Sequence, residues 1–378
     1  MSIYLDNAAT TPLLPEVKEL MKDVIDNHYG NPSSIHSLGR SSRSIIEKAR
    51  KTISSAITCA PGEIFFTSCA TESNNMVLKQ SVKNLGVTRI ISSPIEHHCV
   101  MHTIEDIQQC ANIEAIQVNL DEKGHIDYNH LESLLKDQSQ KTLVSLMHGN
   151  NEIGNITDLK KVSDLCKEYG ALYHADTAQT MGKEVINVQD IHIDFINGSA
   201  HKFHGPKGAG FVYIYGEHKL DPLFHGGSQE RNMRSGTENL ICIAGMAKAL
   251  ELSMQHREEW QSHMKQLKNT LRQGLEESIP DIEFLGDLGN SLNHVLSVSF
   301  PPSEQLELLE INLDMQGIYA SAGSACSSGS LKKSHVMEAL KIDPNRKTVR
   351  FSFSALTTME EIKKTIEVCS NICSKAYA

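Results

Sequence analysis

The sequence predicts an α/β protein: a mainly parallel sheet covered on both faces, followed by a smaller α+β unit. Two patterns carry this. Seven short β-branched or apolar runs alternate with stretches of helical apolar spacing, as strand–helix–strand crossovers do. After Arg231 the pattern changes to long helices and then to strand, helix, strand. A chain of 378 residues, 40% apolar and 22% charged, has ample core for this architecture.

Taken in order, residues 14–27 place Leu14, Val17, Leu20, Met21, Val24 and Ile25 at helical spacing, and a second helix reads across 39–57. The seven strand-like runs are EIFFTS (63–68), RIISSP (89–94), AIQVNL (115–120), LVSLMH (143–148), LYHAD (172–176), DFINGS (194–199) and GAGFVYIY (208–215). Helical stretches at 73–85, 128–136 and 159–169 separate several of them. One or two long helices follow over 238–270. Then come HVLSVSF, QLELLEINLDMQG, VRFSFS and a last helix from Met359. We expect a large unit over 14–255 and a small one over 256–378, with residues 1–13 packed beside the small one.

Composition narrows the function classes. The formal net charge is −10, so there is no global basic field for nucleic acid or an anionic membrane. No run reaches the length of a membrane span, and MSIYLDNAAT lacks the basic and apolar regions of a secretory leader. The nine cysteines are scattered rather than laddered, which suits a reducing cytoplasm.

Four segments carry candidate chemistry. Lys202 sits in SAHKFHGPKG, a small-residue turn between two strands. Such a turn pins an amine where it can form a Schiff base, with Ser199, His201 and backbone N–H groups near a phosphate. Read blandly, it is a surface turn. Asp176 ends the LYHAD strand, placed to hold a protonated pyridine nitrogen while Gln179 donates to a ring oxygen; alternatively it caps a following helix. TSCATESNN runs from a strand into a helix and offers N–H groups and a positive helix end to an anion, or is an ordinary capped start. ASAGSACSSGS (320–330) is nearly all small residues and should be mobile, presenting Cys326 as a travelling thiol. The alternative is a flexible turn with an incidental cysteine. Together the four describe one cofactor, pyridoxal 5′-phosphate (PLP), beside a reactive cysteine.

On these motifs the chain resembles the NifS/IscS-type cysteine desulfurases, in the class V aminotransferase-like group of fold-type I PLP enzymes. The resemblance runs end to end: YLDNAATT, GNPSS, TSCATESNN, EHH, NNEIG, HADTAQ, SAHKFHGPKG, HGGSQERNMRSGTEN, SAGSACSSGS and VRFS. The SACSSGS loop separates it from plain transaminases, and the loop with RSGT points to NifS/IscS rather than SufS. The resemblance implies that Lys202 carries the cofactor as a Schiff base and that His97 stacks on its ring and helps move protons. It implies Asp176 on the pyridine nitrogen and Gln179 on the phenolic oxygen. Ala70, Thr71, Ser199 and His201 would hold the phosphate, with Thr237 reaching over from the second subunit of a homodimer and Asn151 also touching the cofactor. Arg350 would bind the substrate carboxylate, with Asn31 as helper. Cys326 would take the sulfur of L-cysteine as a persulfide, leaving alanine.

The sequence departs from the family in places. Cys69 stands where many relatives have Gly, and FSA (353–355) replaces a Leu-Gly-containing pattern. The short tail after Thr358 leaves the sulfur acceptor open between an iron–sulfur scaffold and a tRNA-thiolation enzyme. Selenocysteine lyase or β-lyase chemistry, and a scaffold that has lost its chemistry, are the competing readings. A metal role for His97-His98-Cys99 is disfavoured, because neighbours on a strand point to opposite faces.

Overall fold

The computed structural model describes residues 2–303, 306–321 and 334–376. Cys326 lies outside the described residues.

The first half builds the large sheet. Helices α1 (Pro15–Asn27) and α2 (Ser37–Ile57) precede β2 (Ile64–Thr67), the first strand of that sheet. Then follow α3 (Ala70–Leu85), β3 (Arg89–Ser92), α4 (His98–Cys110), β4 (Glu114–Gln117), α5 (Tyr128–Leu135), β5 (Thr142–Ser145), α6 (Leu159–Tyr169), β6 (Leu172–Ala175), β7 (Phe195–Ser199) and β8 (Gly210–Ile214). The spatial order is β2-β8-β7-β6-β5-β3-β4. Only β8 runs against its neighbours; the other pairings of the sheet are parallel. Central strands such as β5 and β7 are buried along their whole length, which is why they read as continuous apolar runs, whereas edge strand β4 is half exposed. The helices between strands start and stop on local chemistry. Asp158 caps the start of α6, and Gly170, at φ 69°, takes the left-handed position that ends it.

Helix α7 (Leu240–Gln255) is apolar almost all round, because it packs against α1 and α2 and against the turn that follows β7. Helix α8 (Arg257–Ser278) then turns its Met264, Leu267, Leu271 and Leu275 into a second core. That core is built on the antiparallel sheet β12-β10-β9, from β9 (Glu283–Leu285), β10 (Val295–Phe300) and β12 (Lys347–Ser352). Helices α9 (Leu309–Met315), α10 (His335–Ala339) and α11 (Met359–Ala376) complete this half. The N-terminal strand β1 (Ile3–Tyr4) pairs in parallel with β11 (Ile318–Tyr319), and Ile3 and Leu5 bury in the same second core. Cys369 and Cys373 are packed there as small apolar residues.

Two local expectations change. The second half of the first βα turn becomes helical earlier than the apolar spacing shows: α3 begins at Ala70, not Ser73. And His97-His98-Cys99 is not strand. His97 is the N-cap of α4, and His98 and Cys99 open its first turn. The geometric objection to a shared metal therefore does not hold as stated, yet among the described residues no group of three His, Cys, Asp or Glu side chains converges on a metal position.

Candidate active site

The carboxyl ends of β2, β3, β5, β6 and β7 open on one side of the sheet, and the side chains that follow them line a single cleft of about 310 Å³. Cys69, Ala70 and Thr71 come from the turn after β2, His97 from the turn after β3, and Met147 from beyond β5. Asp176 and Gln179 follow β6; Ser199 and Lys202 stand at the end of β7 and just beyond it. Asn151 comes from the loop after β5, and His335, Arg350, Ala8 and Ala9 close the cleft from the smaller half.

At one end of the cleft is an anion cradle. Ala70 is the first residue of α3, and its N-cap Cys69 places no side-chain acceptor on the first-turn N–H groups. A helix of 16 residues thus presents donors and the positive end of its dipole there. The Ser199 hydroxyl and His201 Nδ1 are buried with no hydrogen-bond partner among the described residues. Burial, and after it the nearby Lys202, Lys207 and Lys183, lower the His201 pKa to about 4, so its ring is neutral. Glu72 is tied away from the cradle by Arg234, with Nε to Oε1 at 2.9 Å.

At the other side stands Asp176. The sequence left it either facing a ligand or capping a helix. No helix follows it; Oδ1 accepts from the Ala178 N–H in a local turn, and Oδ2 accepts from Asn74 Nδ2 at 2.7 Å. Gln179 is oriented from both ends: its Nε2 donates to the Ala8 carbonyl, and its Oε1 pairs with His294 Nε2 at 3.1 Å. Lys202 Nζ donates to the carbonyls of Ala8 and Ala9 at 2.6 and 2.9 Å, which brings the N-terminal segment into the cleft. Arg350 is almost wholly buried. Its guanidinium meets Asp6 Oδ1 and the Asn151 carbonyl, both at 2.8 Å, while Nε has no partner among the described residues.

Ten of the sequence-predicted residues meet in this cleft: Ala70, Thr71, His97, Asn151, Asp176, Gln179, Ser199, His201, Lys202 and Arg350. Thr237 does not. It lines a separate recess of about 180 Å³ with Arg234, Glu238 and Asn239. Asn31 is exposed in the loop before α2, its Oδ1 accepting from the Ser33 N–H, and is not part of this wall. Residues to which the sequence reading gave no role also act here. Asn74 binds Asp176, Asp6 holds Arg350, and Lys183 ties the backbones of Gln179 and Lys202 together. Both ends of the segment that contains Cys326 flank the cleft. Ser321 pairs with the Arg350 backbone, and Ser334 donates to Glu152.

The donor set fits PLP: unpartnered buried donors and a helix start for a phosphate, a carboxylate for a pyridine nitrogen, and an amine between them. The model for the family described as aminotransferase class-V matches residues 3–365. The chain belongs to the class-V aminotransferase family. Among members of this family, it is 40% identical to the cysteine desulfurase IscS of Dictyoglomus turgidum over 377 residues, 99% of this chain and 95% of that one. A solved structure named a NifS-like protein superposes with a TM-score of 0.92 at 35% identity, covering 99% of this chain and 100% of that one. The NifS-like protein from Rickettsia africae gives 0.89 at 30% identity, over 99% of this chain and 100% of its own. This member of the class-V aminotransferases is therefore an IscS/NifS-like chain, and PLP is the cofactor its family implies.

Proposed function

We propose that this chain is a PLP-dependent cysteine desulfurase that converts L-cysteine to L-alanine and leaves the sulfur as a persulfide on Cys326. The observation that carries the reading is the convergence of Lys202, Asp176, His97 and the phosphate cradle on one cleft that also contains Arg350.

Ala70, Thr71, Ser199 and His201 would hold the phosphate, Asp176 the pyridine nitrogen, and Gln179 and Asn151 the ring's oxygen side. When bound, PLP supplies an electron sink that acidifies the substrate Cα and loosens its Cβ–S bond. The residues do the rest. Arg350, braced by Asp6, binds the substrate carboxylate. Lys202, once released from the cofactor, carries the proton to and from Cα. His97 supplies a proton at the wall of the cleft. Cys326 as thiolate attacks the substrate sulfur: the new S–S bond forms as the Cβ–S bond breaks, and the carbon fragment takes up protons and departs as alanine. The position of Ser321 and Ser334 at the cleft supports delivery of this thiol.

The reading includes a homodimer in the cytoplasm. Thr237 and Asn31 lie outside their own chain's cleft and would serve that of the second copy. The large unit would be residues 14–255, and the small one 1–13 with 256–378. A thiol of a sulfur-acceptor protein then attacks the outer sulfur of the persulfide: the new S–S bond forms on the acceptor as the old one breaks, Cys326 returns to a thiol, and the sulfur goes on to iron–sulfur cluster assembly or tRNA thiolation.

The test is to incubate PLP-loaded protein with L-cysteine and a reducing thiol and to quantify alanine and sulfide together. Equal amounts, lost in Cys326→Ala, are expected. Pyruvate and ammonia in place of alanine, or full activity in Cys326→Ala, would overturn the persulfide route.

A further inference from the structure

His97 has two duties. It lines the cleft, and it is the N-cap of α4. As a cap, its Nδ1 lies 3.2 Å from the backbone nitrogen of Cys99 and 2.9 Å from the Cys99 sulfur. A backbone amide can only donate. Nδ1 therefore carries a lone pair, and in the neutral ring the proton sits on Nε2. The Cys99 S–H has the same acceptor in reach and donates to it. Its sulfur in turn accepts from Asn74 Nδ2 at 3.2 Å. The same amide nitrogen donates to Asp176 Oδ2 at 2.7 Å, and the Asn74 oxygen accepts from Asn197. A carboxylate only accepts, so the orientation of Asn74 is determined, and with it the direction of each bond in the chain.

We propose that Cys99 is a positioning residue for the chemistry of this cleft. It completes a hydrogen-bonded chain, Asp176–Asn74–Cys99–His97, that holds His97 as its Nε2–H tautomer. This rests on the reading of the cleft as a desulfurase site and gives His97 a direction within it. In the resting state His97 offers a proton from Nε2. Protonating Nδ1 would set an N–H against the Cys99 N–H and break the hydrogen bond from the Cys99 S–H. Cys99 is thereby distinct from a second nucleophile: its proton is committed to His97, and burial pushes its thiol up to about 12. Among the described residues, the other titratable groups facing His97 include Asp176 after β6, Lys202 after β7, His98 on α4 and His335 on α10. Burial, joined by Lys202, His98 and His335, holds the His97 pKa below its ordinary value against the pull of Asp176.

The test uses the PLP-loaded protein with isotope-labelled histidine, followed by nitrogen NMR across pH, and infrared detection of the S–H stretch. Wild type, C99A and C99S are compared. The expected wild-type result is an Nε2–H tautomer for His97 and one S–H band moved to the hydrogen-bonded region, absent in C99A. In C99A the neutral ring loses a donor, so the pH at which His97 protonates should rise by about half to one unit. C99S restores a donor and should return it toward wild type; a mere packing role would not give that order. An Nδ1–H tautomer, an unbonded S–H band, or a C99A midpoint equal to wild type would overturn the proposal. None of these readouts requires alanine to form, so a wrong substrate and a wrong tautomer give different results.

Discussion

The ammonium of Lys183 donates to the backbone carbonyl of Lys202 at 2.8 Å, and the same nitrogen donates to that of Gln179 at 3.0 Å. One half-buried side chain thus joins the turn after β6 to the turn after β7, the two segments that carry Asp176, Gln179, Ser199 and Lys202. Burial, reinforced by the neighbouring Lys202 charge, lowers the Lys183 pKa to about 7.

Replacing Lys183 by Met leaves two carbonyls without this donor and loosens the spacing between the turns. A lost buried hydrogen bond is worth about 1 kcal/mol, and two should weaken PLP binding by roughly tenfold or more. Titration of the apoprotein with PLP, followed by absorbance, checks this. Wild-type affinity in Lys183→Met would mean that the turns hold their spacing unaided.

The Ser199 hydroxyl and His201 Nδ1, unpartnered among the described residues, make a separate prediction. If a phosphate is their partner, Ser199→Ala should cost the loaded protein about tenfold in PLP affinity and leave the apoprotein's Tm unchanged or higher, because an unsatisfied buried hydroxyl is removed. The opposite pattern, a less stable apoprotein with unchanged affinity, would assign Ser199 to the fold instead. Thermal melts of both forms decide between the two.

How much of this was legible in the sequence depended on distance along the chain. The strands were readable because burial along their whole length makes β2, β3, β5 and β7 runs rich in apolar and β-branched residues. Asp176 and Lys202 were readable because each ends or follows such a run. The start of α4 was hidden: a histidine N-cap is outside the usual Ser, Thr, Asp and Asn signals, so His97-His98-Cys99 passed as strand. The partners of Asp176 and Arg350 were hidden for another reason. Asn74 lies 102 residues from Asp176, and Asp6 lies 344 from Arg350; no local pattern encodes such pairs. Lys183 had no signal, since a lysine after a glycine reads as solvated surface.

Arg350 is held as a planar fork by Asp6 and the Asn151 carbonyl, with Nε left over. Lysine keeps the charge and cannot make both contacts while meeting a carboxylate. Arg350→Lys should raise KM for L-cysteine roughly 10- to 100-fold, with a smaller effect on kcat. Steady-state alanine formation measures this split. An unchanged KM would remove Arg350 from the substrate site and leave it as a brace between Asp6 and Asn151.

Glu96 gives a pH prediction with a defined sign. It is fully buried behind the cleft, accepting from the Ser93 hydroxyl and the Met147 N–H. Burial is the dominant effect and raises its pKa from 4.5 to about 8, although both hydrogen bonds oppose it. The folded state therefore binds this proton more tightly than the unfolded chain does. Between pH 4.5 and about 8 the unfolded state releases it first, so this group's contribution to stability falls as pH rises through that window. Glutamine keeps an acceptor for both donors and cannot ionise. The difference in Tm, Glu96→Gln minus wild type, should thus grow more positive from the acid to the alkaline end of the window. A difference that stays constant across it would mean that Glu96 is ionised in the fold at neutral pH and that its two donors outweigh the burial.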